Sequence, residues 1–132
     1  MGDIFTKALQ ANYEYVFVKV YLTRLAYKYD ETLPPEKRHT FIYSLTIKNF
    51  SEKTITLIGR KWILNNSDGS VEVIEGDGII GQTPTLAPDA EFSYSSYHIT
   101  DQSAKARGAF YGIDQKGAFI CAEVLEFDMI LP

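Results

Sequence analysis

Trp62–Thr85, WILNNSDGSVEVIEGDGIIGQTPT, contains a hairpin followed by a glycine motif, and how that motif is read decides between two fold classes. Trp62, Ile63 and Leu64 end one apolar run, and Val71, Val73 and Ile74 begin the next. Asn65, Asn66, Ser67, Asp68 and Gly69 form a polar turn between them. Asp-Gly suits a tight turn, because glycine takes positive φ without a Cβ clash and the aspartate can hydrogen-bond the local backbone. The following Gly76-Asp77-Gly78-Ile79-Ile80-Gly81 matches G-x-G-x-x-G, which in a dinucleotide fold opens a helix whose amides hold a pyrophosphate. No helix can follow here. Pro84 and Pro88 fall within its first turns, and each removes an amide donor and clashes with the preceding turn. The dinucleotide fold is dropped, and Gly76–Gly81 is expected to be loop or bulge backbone throughout. A concave row of amides could still hold an anion without a helix. Arg60, with its planar guanidinium, is then the residue expected at the phosphate, against repulsion from Glu72, Glu75 and Asp77.

On either side of this stretch the pattern is that of strands. From Tyr15, Val16, Val18, Val20 and Leu22 alternate with Phe17, Lys19, Tyr21 and Thr23. Asp30–His39 is charged and carries Pro34-Pro35, so it reads as an exposed connection, with His39 a surface residue at its edge. Thr40–Asn49 places Phe41, Tyr43, Leu45 and Ile47 on one face, and Thr54–Leu64 returns antiparallel to it. Phe92 and Tyr94 belong to a further strand, Tyr97–Ser103 reads as a polar loop, and Lys105–Ile113 is a strand closed by a turn at Asp114–Gly117. In the last run Ile120, Ala122 and Val124 share one parity, and Phe127, Met129 and Leu131 the other. A β-bulge near Leu125 or Glu126 would keep both sets in the core. About seven or more short strands with frequent turns give an all-β fold, an antiparallel β-sandwich of immunoglobulin or fibronectin type III kind. The absence of a cysteine pair favours the fibronectin type III-like version.

The 132 residues suffice for one core and not two: residues 1–14 form a short N-terminal extension, with Ile4, Phe5, Ala8 and Leu9 at helical spacing, and residues 15–132 the sandwich. Nine Tyr and eight Phe fit a strand-rich chain. Thirteen basic against 17 acidic residues leave a net charge of −4, which argues against a nucleic-acid backbone reader. No run is long enough to span a membrane, and the single Cys121 excludes an intrachain disulfide, so the expected location is cytoplasmic. Cys121 reads as a small buried hydrophobe.

No nucleophile–base pair, H-E-x-x-H or C-x-x-C is present; His39, His98 and Cys121 are scattered singly, so no enzyme activity and no transition-metal site is expected. Turn carboxylates such as Asp68, Glu75, Asp77 and Asp114 leave only a weak Mg²⁺ or Co²⁺ possibility, and no cofactor is expected.

Phe41-x-Tyr43-x-Leu45-Thr46-Ile47-x-Asn49, Gly59-Arg60-x-Trp62, Gly76-x-Gly78-Ile79-Ile80-Gly81-x-x-Pro84, Leu86-Ala87-Pro88, Phe92-x-Tyr94-x-Ser96 and the closing Phe127–Pro132 together resemble the ApaG domain, over roughly Tyr15–Pro132. The resemblance implies a fibronectin type III-like sandwich, an association with cobalt and magnesium resistance, and the idea of pyrophosphate binding at Gly76, Gly78 and Gly81. It also implies departures: the family usually has glycine at Tyr97 and Asp89 and a basic residue at Asp128. The expected function is a non-enzymatic module that binds another protein, as a monomer or homodimer, with Tyr94, Tyr97 and Tyr111 as interface residues and Phe110 more of a core residue. The alternative is a pyrophosphate-containing small molecule or divalent cation at Gly76–Gly81.

Overall fold

The computed structural model describes residues 17–132; the expected extension 1–14, its helical spacing and the strand start near Tyr15 lie outside the described residues. Eight strands follow one another: β1 Val18–Tyr29, β2 His39–Asn49, β3 Ile55–Asn66, β4 Val71–Asp77, β5 Thr85–Leu86, β6 Glu91–Thr100, β7 Ala104–Asp114 and β8 Phe119–Met129. Apart from a 3₁₀ turn at Pro35–Lys37, no helix occurs among the described residues. All pairings are antiparallel. A three-stranded sheet runs β1-β2-β6, and a five-stranded sheet runs β4-β3-β7-β8 with β5 on the free side of β3 beyond β4. The two sheets stack as a sandwich whose core joins Phe41, Tyr43, Leu45 and Ile47 of β2 to Trp62 and Leu64 of β3, Phe110 of β7 and Phe127 and Met129 of β8.

Three one-residue bulges set which side chains face inward. Thr23 is the extra residue in β1, between the pairs Leu22↔Leu45 and Arg24↔Ser44, so the expected alternation holds through Leu22 and then changes parity. Ile58 is extra in β3, between Leu57↔Gly112 and Gly59↔Tyr111. In β8, Leu125 and Glu126 together face Arg107, between Ala106↔Phe127 and Gly108↔Val124, which is the bulge expected from the parity change of the last run. Leu125 is 81% exposed while Val124 and Phe127 are buried on either side.

Two expectations need correction. Tyr97–Thr100 is not a loop: β6 continues to Thr100, with Tyr94, His98 and Thr100 buried and Tyr97 and Ile99 facing out. The inward residues of this strand are mostly polar, so the alternation lacks its apolar half. Gly76 and Asp77 are not loop either; they end β4, opposite Arg60 and Gly59.

Candidate functional site

The Ile58 bulge turns Arg60 to the same side of the sheet as Trp62 and Leu64. Its Nη1 donates to the carbonyl oxygens of Asp77 at 2.8 Å and Gly78 at 3.1 Å. Gly76 makes this possible, because a Cβ there would stand 3.0 Å from Arg60 Nη2. Gly78 has φ 67° and donates its amide to Ile58 O at 2.8 Å; a Cβ would come 2.6 Å from Gln82 O. Ile79 and Gln82 exchange backbone hydrogen bonds at 2.8 and 3.0 Å around Ile80 (φ 45°) and Gly81 (φ 78°), the two positive-φ positions of a type I′ turn. Ile79 is completely buried, so the turn is anchored in the core.

The amides of Gly78, Ile79 and Gln82 are therefore spent on carbonyl oxygens, and the Arg60 guanidinium braces the loop from its inner side. Here the glycines supply turn geometry and close approach. Asp128, the acidic departure from the family pattern, is remote from this loop. It lies opposite Lys105, which is opposite Asn65, five residues along β3 from Arg60, or about 17 Å. Its carboxylate meets Lys105 at 3.9 Å beside a cleft of about 350 Å³ lined also by Asn65, Asn66, Ser67 and Ser103.

The three tyrosines expected at an interface do not form one cluster. Tyr94 is buried, edge-on to Phe110 and packed near Phe92 and Tyr43, so it is a core residue. Tyr97 stands 58% exposed on the outer face of the three-stranded sheet. Tyr111 lies on the outer face of the five-stranded sheet, its ring over Gly59, where any Cβ would collide with it. Phe110 is in the core, as expected.

His98 is a core residue that the sequence did not reveal. It is buried between Tyr43, at 4.8 Å between ring centroids, and Trp62, at 4.7 Å edge to face, and its Nε2 has no partner. Burial pushes its pKa down to about 4, so the ring is neutral at pH 7. Cys121 is fully buried next to Ile63 and Ala109, and burial, with Glu123 adding to it, raises its thiol to about 12. Neither group can act as a nucleophile or base toward a solvent-borne substrate. His39 accepts or donates a 2.6 Å hydrogen bond with Tyr27 Oη through Nδ1 and sits between the Tyr27 and Tyr29 rings. Among the described residues, no three His, Cys, Asp or Glu side chains converge as a metal site, and no helix is long and apolar enough to cross a membrane.

A sequence profile of the ApaG domain matches residues 29–113. The chain belongs to the ApaG domain family. It is 33% identical over 104 residues to Protein ApaG of Vibrio cholerae, covering 78% of this chain and 82% of that one. Protein ApaG of Citrobacter koseri is 28% identical over 103 residues. A crystal structure described as the ApaA protein of Bordetella pertussis superposes with a TM-score of 0.72 at 24% identity, over 87% of this chain and 95% of that one, and so shares the fold. The residues that carry the ApaG resemblance have identifiable structural work in this chain. Gly59 and Gly76 make room for Tyr111 and Arg60, Pro84 accepts the Leu57 amide at 2.9 Å, and Asn49 joins β2 to β5. The strands outside the profile, most of β1 and all of β8, are hydrogen-bonded members of the two sheets.

Proposed function

We propose that this ApaG domain is a non-enzymatic module that binds another protein, and that any family link to cobalt and magnesium resistance runs through such a partner. The observation that carries this reading is how reactive and apolar groups are distributed. His98 and Cys121 are sealed in the interior with their pKa values moved away from neutrality, whereas large side chains stand in solvent on sheet surfaces. Tyr97 is 58% exposed, and on the edge strand β4 Val71 and Val73 are 57% and 53% exposed. An edge strand bearing branched apolar side chains offers both unpaired backbone groups and contact area to a partner. Fold alone does not assign a function, so the reading rests on this arrangement.

The test is retention of a protein by the immobilised chain, compared between wild type and the folded variants Tyr97→Ala and Val73→Glu. Loss of retention in either variant is the expected result. Conversion of a purified small substrate at a rate that follows the amount of protein overturns the reading. The competing reading, an anion at Gly76–Gly81, is tested by titration with pyrophosphate. The expected result is no saturable shift of the Gly76–Gly81 amide resonances; a saturable shift that Arg60→Ala abolishes favours the anion instead.

A further inference from the structure

We propose that the outer face of the three-stranded sheet binds an acidic, extended segment of a partner protein, an inference that rests on the binding-module reading and names its surface. The registers of β1, β2 and β6 place Lys19, Arg24 and Lys28 on this outer face along β1 and Lys48 on the central strand. Glu91 is the one acidic residue of the three strands on the same face. The face thus carries four basic side chains and one acidic, a local charge of +3, on a chain whose net charge is −4. None of the four makes an ion pair among the described residues.

Lys19 and Lys48 are direct cross-strand partners on this face. Like charges in that relation repel and destabilise the sheet. Lysines on edge strands commonly guard against edge-to-edge pairing, but Lys48 lies on the middle strand and has no edge to guard. On its other side Lys48 faces Glu91, its direct partner on β6, which offsets part of this repulsion and leaves Lys19, Arg24 and Lys28 of β1 without an acidic cross-strand partner; a carboxylate laid along β1 would supply one.

The shape of the face supports the same occupant. Between the long basic side chains and Tyr97, the floor is made of short hydroxyls that bond to each other, Ser44 with Ser95 and Thr46 with Ser93, both at 2.7 Å. The result is a strip of short side chains with longer ones around it. Tyrosine and serine together also make adaptable protein-contact surfaces. A single-stranded nucleic acid suits it less well. Tyr21 and Tyr97 lie on the two outer strands, two strand spacings or about 10 Å apart across the sheet, too far to stack neighbouring bases.

The experiment is a titration of the full, isotopically labelled chain with a blocked decapeptide of alternating Glu and Ala, its Lys-Ala counterpart, and a short oligothymidylate. The Glu-Ala peptide is expected to shift amides of β1, β2 and β6 saturably, with affinity falling as salt rises from about 50 to about 300 mM. The triple variant K19E/R24E/K48E, shown to be folded, is expected to weaken it about tenfold or more. Lys116→Glu, on the Asp114–Gly117 turn of the five-stranded sheet, is expected to leave it unchanged. Absence of shifts on this sheet, shifts that the triple variant leaves intact, or tighter binding of the oligothymidylate at the same residues overturns the proposal. If the peptide fails while a partner protein is still retained, this face is wrong and the binding-module reading stands; substrate turnover removes both.

Discussion

Asn49 is fully buried at the end of β2, and its amide satisfies every polar atom it brings inside. Nδ2 donates to Lys53 O at 2.7 Å and Leu86 O at 3.0 Å, while Oδ1 accepts from Ser51 N at 2.9 Å and Ser51 Oγ at 2.6 Å. Asn49→Ala strands these buried groups, and a loss of about 3 kcal/mol in urea denaturation is expected; an unchanged midpoint would show that water replaces the side chain. Ile80 is the opposite case, a β-branched residue at φ 45° and half exposed. Ile80→Asn relieves that backbone conformation, so a gain of about 1 kcal/mol is expected in the same measurement. His98 contributes a pH dependence. Its folded pKa of about 4 lies below the 6.5 of the free side chain, so the unfolded chain binds the extra proton. Its share of stability is complete above pH 6.5 and is lost as pH falls from 6.5 toward 4, at about 1.4 kcal/mol per unit, about 3 kcal/mol in all. His98→Phe is expected to flatten the stability profile in that window. The carboxylates of Asp30 and Asp68, held low by hydrogen bonds from Thr32 and Ser70, act only below about pH 3.8.

The bulges are where strands stop being readable from pattern alone. In β8 the change of parity between Val124 and Phe127 involves apolar residues on both sides, so the extra residue is visible in the sequence. In β3 apolar residues fall on both parities, Ile55, Leu57 and Ile63 on one and Ile58, Trp62 and Leu64 on the other, and nothing marks Ile58 as the extra residue. For that reason the inward turn of Arg60, and its hydrogen bonds to Asp77 and Gly78, could not be read beforehand. In β6 the inner positions beyond Tyr94 are held by Ser96, His98 and Thr100, polar side chains that hide the alternation of a strand. The β8 bulge has a direct test. Deleting Glu126 leaves Leu125 alone opposite Arg107 and keeps Val124, Phe127 and Met129 facing inward in the same register, so the expected change in stability is about 1 kcal/mol or less. A loss of about 4 kcal/mol or complete unfolding would show that Phe127 and Met129 leave the core when the extra residue is removed, against this register.

At the scale of the whole molecule, the sandwich was legible because Phe41, Tyr43, Leu45 and Ile47 alternate without interruption and because Pro84 and Pro88 exclude a helix after the glycines. The surface was not legible. Which exposed tyrosine shares a face with which lysine depends on long-range pairing, and Tyr94, Tyr97 and Tyr111, expected together at one interface, end in the core and on two opposite faces. Single-sequence charge is similarly misleading, since a net −4 conceals a sheet face of +3. The measurement that bears most directly on the function is a side-by-side comparison of surface and interior variants in binding to the purified partner recovered by affinity capture. Tyr97→Ala and Val73→Glu are expected to weaken that binding, while folded Cys121→Ala and His98→Phe bind like wild type. Binding untouched by the surface variants, together with a small-molecule conversion lost on changing Cys121 or His98, would contradict the account.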